Sequence, residues 1–495
     1  MKMRKLLLPL AALSSISLAA CGNTGGGSSD NSVRVVFWHT FGDKIESGVQ
    51  DMINRFVKAV KDNEGVSVKV DFEHYGSYTD TRAIVGTALE AGNGPSMCIA
   101  YPDSVAYLIH KEAYKGQYVR RVDSYFNDSE IGFGKERYLG DGPVGDFIQS
   151  YIEEGSKFQD NGTFVMPFMK SSEIMIYNKD IVGPLMEIYH PELTGDAVWE
   201  FVENMSWDDL INLGQLALDN KDALSLSAME EPIFYDSDSN MFITQLEQLG
   251  LGYSHLDGQN KVVLDLDKEA NPTNYNAALD MLNEYRNWHK PSSGQDYGIL
   301  TTKKTEGTYA SDSFKNRKCV FTIGSSGGAG YTFPSTSGMD YGICRVPYRG
   351  NDAANPKYIS QGPSVCFLNN KGYSREKNDL IFKYSWKLYK YLTNTTNNTV
   401  LCVNNSEGYV PVRESCYDSE IWAEFIDGGQ SYAEAAQVVK DVIRGNFISS
   451  LVFNGSASYR DYVGGLIGDV MKTNDSIATL LDTCVNNTKN DMNAD

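Results

Sequence analysis

The sequence predicts an α/β protein of two lobes, each assembled from segments far apart in the chain. Three observations lead there. At 495 residues the chain is too long for one hydrophobic core. Near its start, two β-branched runs flank a helical pattern at the spacing of a parallel strand–helix–strand unit. In its middle, Gly162–Asp180 reads as two short apolar strands interrupted by Pro167 and by the polar Lys170-Ser171-Ser172. Proline cannot donate to a sheet ladder, so such a break suits a chain leaving one lobe for another. One irregular edge strand within a single large domain is the other reading of the same residues.

Taken in order, Val33–Phe37 is a β-branched strand that ends at the turn Trp38-His39-Thr40-Phe41-Gly42. A helix over 45–61 follows, with Val49, Ile53, Phe56 and Val60 on one face at 3.6-residue spacing. Val66–Phe72 is the next strand, parallel to the first through a right-handed crossover. A helix over Thr81–Glu90 ends at Gly92-Asn93-Gly94-Pro95, and a strand Ser96–Ala100 leads to Tyr101-Pro102-Asp103-Ser104. Beyond the break, Ser206 caps a helix with Asp209 at the capping-box position. Tyr275–Trp288 is amphipathic, and Lys318–Ile323 is a strand ending in Gly324-Ser325-Ser326-Gly327-Gly328. Strands over Tyr341–Pro347 and Tyr358–Leu368 and a helix over Leu380–Leu392 complete the pattern.

Composition is that of a soluble globular chain, 41% hydrophobic and 22% charged. The formal charge of −20 becomes more negative once Lys2, Arg4 and Lys5 are removed. Such a field repels phosphate backbones and anionic lipid surfaces, which argues against nucleic-acid binding. Those three cations precede an apolar run, Leu6–Ala20, too short to span a membrane comfortably. It closes on Leu18-Ala19-Ala20-Cys21, a bacterial lipobox, so residues 1–20 are expected to be a signal peptide and Cys21 to carry lipid. A plain secretory signal beside a chance cysteine is the alternative. Residues 22–32 are a Gly/Ser-rich tether. Seven further cysteines, an odd number, include no C-x-x-C. Most suit buried apolar positions, and spacing leaves a Cys402–Cys416 bridge open.

Catalytic motifs fare poorly. Gly324–Gly328 fits G-x-S-x-G, but the nucleophile elbow needs a following helix and a later histidine, whereas all six histidines precede Ser326. Asp236-Ser237-Asp238-Ser239-Asn240 with Glu247 partly fits a calcium loop, yet Met241 stands where glycine is required; a polar turn opening a helix fits better. No nucleotide, zinc or other cofactor motif occurs, and no metal or cofactor is expected.

Several phrases carry a family resemblance. Pro167-Phe168 with Ser171-Ser172 and then Tyr177-Asn178-Lys179-Asp180 resembles the crossing segment of extracellular solute-binding proteins of bacterial ABC importers, the branch that takes up sugars and glycerol phosphate. Phe37-Trp38-His39-Thr40, Ala88–Pro95, Ser206–Leu210, Gly324–Gly328, Gly408–Val412 and Ser458–Val463 resemble further landmarks of it, in family order from Val33 to Asn486. The resemblance implies a periplasmic-binding-protein-like fold, with two discontinuous α/β lobes and a hinged cleft. Residues 33–163 with 302–350 are expected to make the first lobe, and 164–301 with 351–495 the second. It also implies a monomeric, lipid-anchored receptor on the outer face of the cytoplasmic membrane. Such a receptor captures a sugar or glycerol phosphate and passes it to ABC permease subunits, without catalysis. A secreted glycan-active enzyme is the alternative. The implied cleft residues are Trp38, His39, Tyr78, Asp103, Ser171, Ser325, Ser326, Gly362, Tyr409 and Arg460. For Tyr78 and Tyr409 ordinary packing competes with ligand contact. In the glycerol-phosphate binders the acid directly follows the tyrosine, where Pro102 stands here, so Asp103 is displaced by one position. Arg460 matches an arginine that contacts phosphate in those relatives; a surface arginine on the following helix is the other reading.

Overall fold

The computed structural model describes residues 32–110, 114, 116–334, 338–350 and 356–493. Cys21 and residues 22–31 of the tether lie outside the described residues. The chain lays down β1 (Val33–His39), β2 (Val68–His74), β3 (Met97–Ala100) and β4 (Val165–Pro167) for one sheet. It then builds β5 (Glu173–Asn178), β6 (Ile233–Tyr235), the small hairpin β7 (Ser254–Leu256) and β8 (Val262–Leu264), β9 (Leu300–Thr302), β10 (Phe321–Ser325) and β11 (Tyr341–Arg345). Last come β12 (Tyr358–Ile359), β13 (Ser364–Phe367) and β14 (Phe447–Ile448). The first sheet has the order β2-β1-β3-β13-β4 and the second β11-β5-β10-β6-β9.

Local sequence explains the framework. β1 lies parallel to both β2 and β3, as the strand–helix–strand spacing predicts. The intervening helix, Asp43–Glu64, buries Val49, Met52, Ile53, Phe56 and Val60, each side chain contributing about 1.5–3 kcal/mol of apolar burial. It stops at Gly65 in the left-handed region, φ 69°. Ser77 and Asp80 form a capping box, so the next helix starts at Tyr78, three residues before the predicted Thr81. Ser206 and Asp209 form the predicted second box. The helix expected after the Asp236–Asn240 turn starts inside it, as Asp238–Gln248, and the Asp238 carboxylate accepts from Thr302 Oγ1 at 2.5 Å. All seven described cysteines are buried free thiols.

The crossing lies where Pro167 and the serines place it. β4 is an edge strand of the first sheet with Pro167 at its end, and β5 runs centrally in the second, between β11 and β10. The grouping of the later segments differs from the expectation. β10 and β11 pair antiparallel to β5 in the second sheet, whereas β13 pairs with β3 and β4 in the first. Residues 302–350 therefore continue the second sheet, and the chain returns to the first only near Ser364. These strands are short, mostly buried runs, so nothing local marks which sheet each joins. Each sheet has its own core. Phe37, Phe56, Phe367 and Trp386 belong to the first; Trp207, Phe242, Tyr285 and Ile467 belong to the second. Among the described residues no helix is long and apolar enough to cross a membrane.

Candidate functional site

Three chain segments run side by side between the sheets. Lys170 exchanges backbone hydrogen bonds with Val410 (3.0 and 2.8 Å), and Ser171 exchanges them with Gln361 (3.0 Å each). Beside this strip lies a cavity of about 310 Å³. From helices and the β3 end on the first-sheet side it receives Tyr78, Tyr101, Asp103 and Glu154; from the other side come Asn240, Tyr253 and Arg460. Ser360 and Gln361, from the strip itself, complete it. It sits at the carboxyl end of β3, next to where the order of the first sheet reverses, the usual ligand position in an open α/β sheet.

Each polar group is there for a local reason. Asp103 lies in the first turn of the helix Pro102–His110, where the helix dipole favours an acid. Burial raises its carboxyl above the usual range, opposed by the Arg460 and Arg82 guanidiniums. Arg82 pairs with Asp461 at 2.8 Å. Glu154 accepts from Lys170 Nζ, and that lysine is fully buried. Tyr78 and Tyr101 pack with ring centroids 4.6 Å apart. Arg460 stands one turn into the helix Ser456–Lys472, whose amino-terminal Ser456 and Ala457 also line the cavity. Its Nη2 donates to Asn240 Oδ1. Asn240 Nδ2 in turn donates to Glu173 Oε1 at 2.9 Å, and Tyr235 OH donates to Glu173 Oε2.

Four cavity-lining polar atoms are buried without a protein partner: Tyr253 OH, Ser360 Oγ, Gln361 Oε1 and Ser456 Oγ. An unsatisfied buried polar group costs about 1–3 kcal/mol, so four around one space mark a place prepared for a polar guest.

Of the ten residues picked from sequence, Tyr78, Asp103 and Arg460 line this cavity. Gly362 borders it, next to Gln361 of the lining, and its φ of +105° lets Met169 O approach. Tyr409 is half-buried behind the Tyr78–Tyr101 pair, its ring against Gly327. Ser171 is buried in the strip, and Ser325 Oγ donates to its hydroxyl at 3.4 Å. Ser326 is buried and accepts from Ser172 N–H. Ser325 lines a different cavity, of about 480 Å³, on the second sheet. Trp38 and His39 do not reach the cleft. Trp38 donates to Glu73 at 3.0 Å and packs on Tyr75. His39 is fully buried, stacked on Phe72 at 3.8 Å, and burial pushes it down to about 4, so it is neutral. Both end a central strand covered on two faces, and the turn toward the cleft starts only after them.

Tyr101, Glu154, Asn240, Tyr253 and Gln361 were missed. A signal existed for the network behind Arg460: Glu173 is the one acid in the apolar run Glu173–Tyr177, and such an acid in a buried strand needs partners.

Comparison with known proteins concerns the family and the fold. Residues 51–427 match the family model described as bacterial extracellular solute-binding protein. A search of curated protein sequences returns no match. Among solved structures, UgpB from Mycobacterium tuberculosis, in complex with glycerophosphocholine, superposes with a TM-score of 0.63 at 16% identity, over 94% of this chain and 98% of that one. A Listeria monocytogenes ABC substrate-binding protein in complex with cycloalternan gives 0.62 at 13%, over 94% and 100%. The cyclic α-maltosyl-1,6-maltose binding protein of Arthrobacter globiformis gives 0.61 at 13%, over 92% and 99%. With three quarters of its length matched by the family model and the two-sheet architecture shared, the chain belongs to the bacterial extracellular solute-binding proteins.

Proposed function

We propose that the protein is the lipid-anchored receptor of an ABC importer and that its solute is a phosphorylated glycerol or, failing that, a sugar. The observation that carries this reading is the cavity between the sheets, where Arg460 and four unpartnered polar atoms converge. A guanidinium holds two phosphate oxygens at once and stays charged at any working pH. The amino terminus of the Ser456–Lys472 helix adds N–H groups beside it. The Tyr253, Ser360 and Ser456 hydroxyls suit the glycerol or sugar hydroxyls, and Tyr78 with Tyr101 gives an apolar wall. The solute held by UgpB and the sugars held by the other neighbours belong to these two classes.

The charges of the site favour a ligand with little net charge. Arg82 is neutralised by Asp461, Lys170 by Glu154, and Asp103 faces Arg460. A phosphodiester or a neutral sugar fits that balance better than a doubly charged monoester. Thermal-shift screening of the mature chain against glycerol phosphodiesters, glycerol 3-phosphate and maltodextrins tests this, since a ligand bound only by the folded state raises the midpoint. Recovery of unchanged ligand after incubation supports a receptor; turnover supports the glycan-active enzyme. Anchoring is tested separately: Cys21→Ser should release the protein from the membrane fraction, and retention refutes the anchor.

A further inference from the structure

Glu173 opens β5, immediately beyond the crossing segment, and is 2% exposed. It does not itself line the cavity and stands directly behind Asn240, which does. Its two carboxyl oxygens are nonetheless committed: one accepts from Tyr235 OH, the other from Asn240 Nδ2. Asn240, also 2% exposed, uses its remaining polar atom, Oδ1, to accept from Arg460 Nη2. The amide can lie only one way between these neighbours. A carboxylate accepts and a guanidinium only donates, so the NH₂ must face Glu173 and the oxygen must face Arg460. The other N–H groups of Arg460 have no protein acceptor among the described residues.

We propose that Glu173 is a positioning residue for the solute: by fixing the Asn240 amide, it holds the Arg460 guanidinium in place with most of its donors free. The proposal rests on the reading that Arg460 meets the ligand, and it adds a residue that never touches that ligand. It also makes binding proton-linked. A protonated Glu173 becomes a donor toward Asn240; the amide then turns over, presents NH₂ to Arg460, and the anchor is lost. The groups facing the carboxyl are Tyr235 at the end of β6, Asp236 just after it, Asn240 from the helix Asp238–Gln248, and Arg460 from the helix Ser456–Lys472. Burial and Asp236 oppose ionisation, while Arg460, Asn240 and Tyr235 favour it, and the balance lies at about 7.

Two variants of the mature chain, Glu173→Gln and Asn240→Ala, test the relay, with thermal midpoints verifying that each folds. The first readout needs no ligand: ¹⁵N NMR of arginine side chains in the free protein. In the wild type at pH 8, restricted Arg460 Nη groups should give resolved signals. They should collapse to rapid exchange in Asn240→Ala, and in the wild type at pH 5.5. The second readout is affinity for glycerophosphoglycerol, a diester whose phosphate keeps one negative charge over this range. Wild-type affinity should fall about tenfold from pH 8 to 5.5, the worth of one charge-assisted hydrogen bond. Glu173→Gln should show a flat profile. Unchanged Arg460 signals in Asn240→Ala, or a Glu173→Gln profile parallel to the wild type, overturn the proposal. Failure of the diester to bind the wild type counts against the solute assignment, and the NMR readout then decides the relay by itself.

Discussion

Ser171 and Gln361 exchange both of their main-chain hydrogen bonds, at 3.0 Å each, and so splice the outgoing crossing segment to the returning one. With Lys170 and Val410 paired on the other side, three segments form a narrow strip joining the two sheets. Closure over a ligand in such an architecture bends a few residues in segments of this kind. Ser171 pairs through its backbone, which explains why a serine expected in the cleft is buried instead.

Gly362 should be the least replaceable residue of that strip. At φ +105° a side chain is strained, and a Cβ would lie 2.5 Å from Met169 O. Gly362→Ala is expected to cost about 1–3 kcal/mol of stability in urea unfolding. It should also disturb the Ser171–Gln361 pairing beside it. Wild-type stability in the variant would mean that the strip can relax around a methyl group.

The Lys170–Glu154 pair gives a second prediction. Lys170 is fully buried, with Nζ 5.7 Å from the centre of the Tyr151 ring. Lys170→Met leaves Glu154 as an uncompensated carboxylate at the cavity wall, at a cost of about 3–5 kcal/mol. Lys170→Met combined with Glu154→Gln should recover most of that loss. A single variant as stable as the double one would show that solvent, not Lys170, satisfies Glu154.

Stability should also depend on pH through Glu173. Burial raises its carboxyl to about 7 from an ordinary 4.5. Between those values the folded chain holds a proton that the unfolded chain has released. Stability from this group is therefore greatest below pH 4.5, declines from 4.5 to 7 and levels off above. The decline is at most about 1.4 kcal/mol per pH unit. Subtracting the Glu173→Gln profile from the wild-type one isolates it from other groups such as Glu231, also raised to about 7 by burial. A flat difference would mean that Glu173 titrates normally.

What could be read from the sequence follows a physical divide. The helix face Val49, Ile53, Phe56, Val60 and the two capping boxes were legible because they are local patterns, and local geometry fixes them. The membership of β10, β11 and β13 was not, because it rests on pairings such as Phe321 with Tyr177 and Cys366 with Cys98, far apart in the chain. Nothing in an apolar run encodes its neighbour. At the site, Asp103 and Arg460 lay at or beside positions marked by a family resemblance, and they and Tyr78 reach the cavity from the first turns of three helices. Trp38 and His39 lay at such positions too, but their strand continues to His39 and keeps both in the core. Tyr253 and Gln361 carried no local mark, since only the fold brings the hairpin and the returning segment to one place.

The central claim is that Arg460 receives the solute in this cavity, and isothermal titration of Arg460→Ala against the wild type tests it most directly. With a glycerol phosphodiester as titrant, the wild type should bind one equivalent. The variant should bind at least about a hundredfold more weakly, as expected for two lost charge-assisted hydrogen bonds, with its thermal midpoint unchanged in the absence of ligand. Equal affinity in the two proteins, or saturable binding of an uncharged sugar to both with none of the diester, would contradict the account.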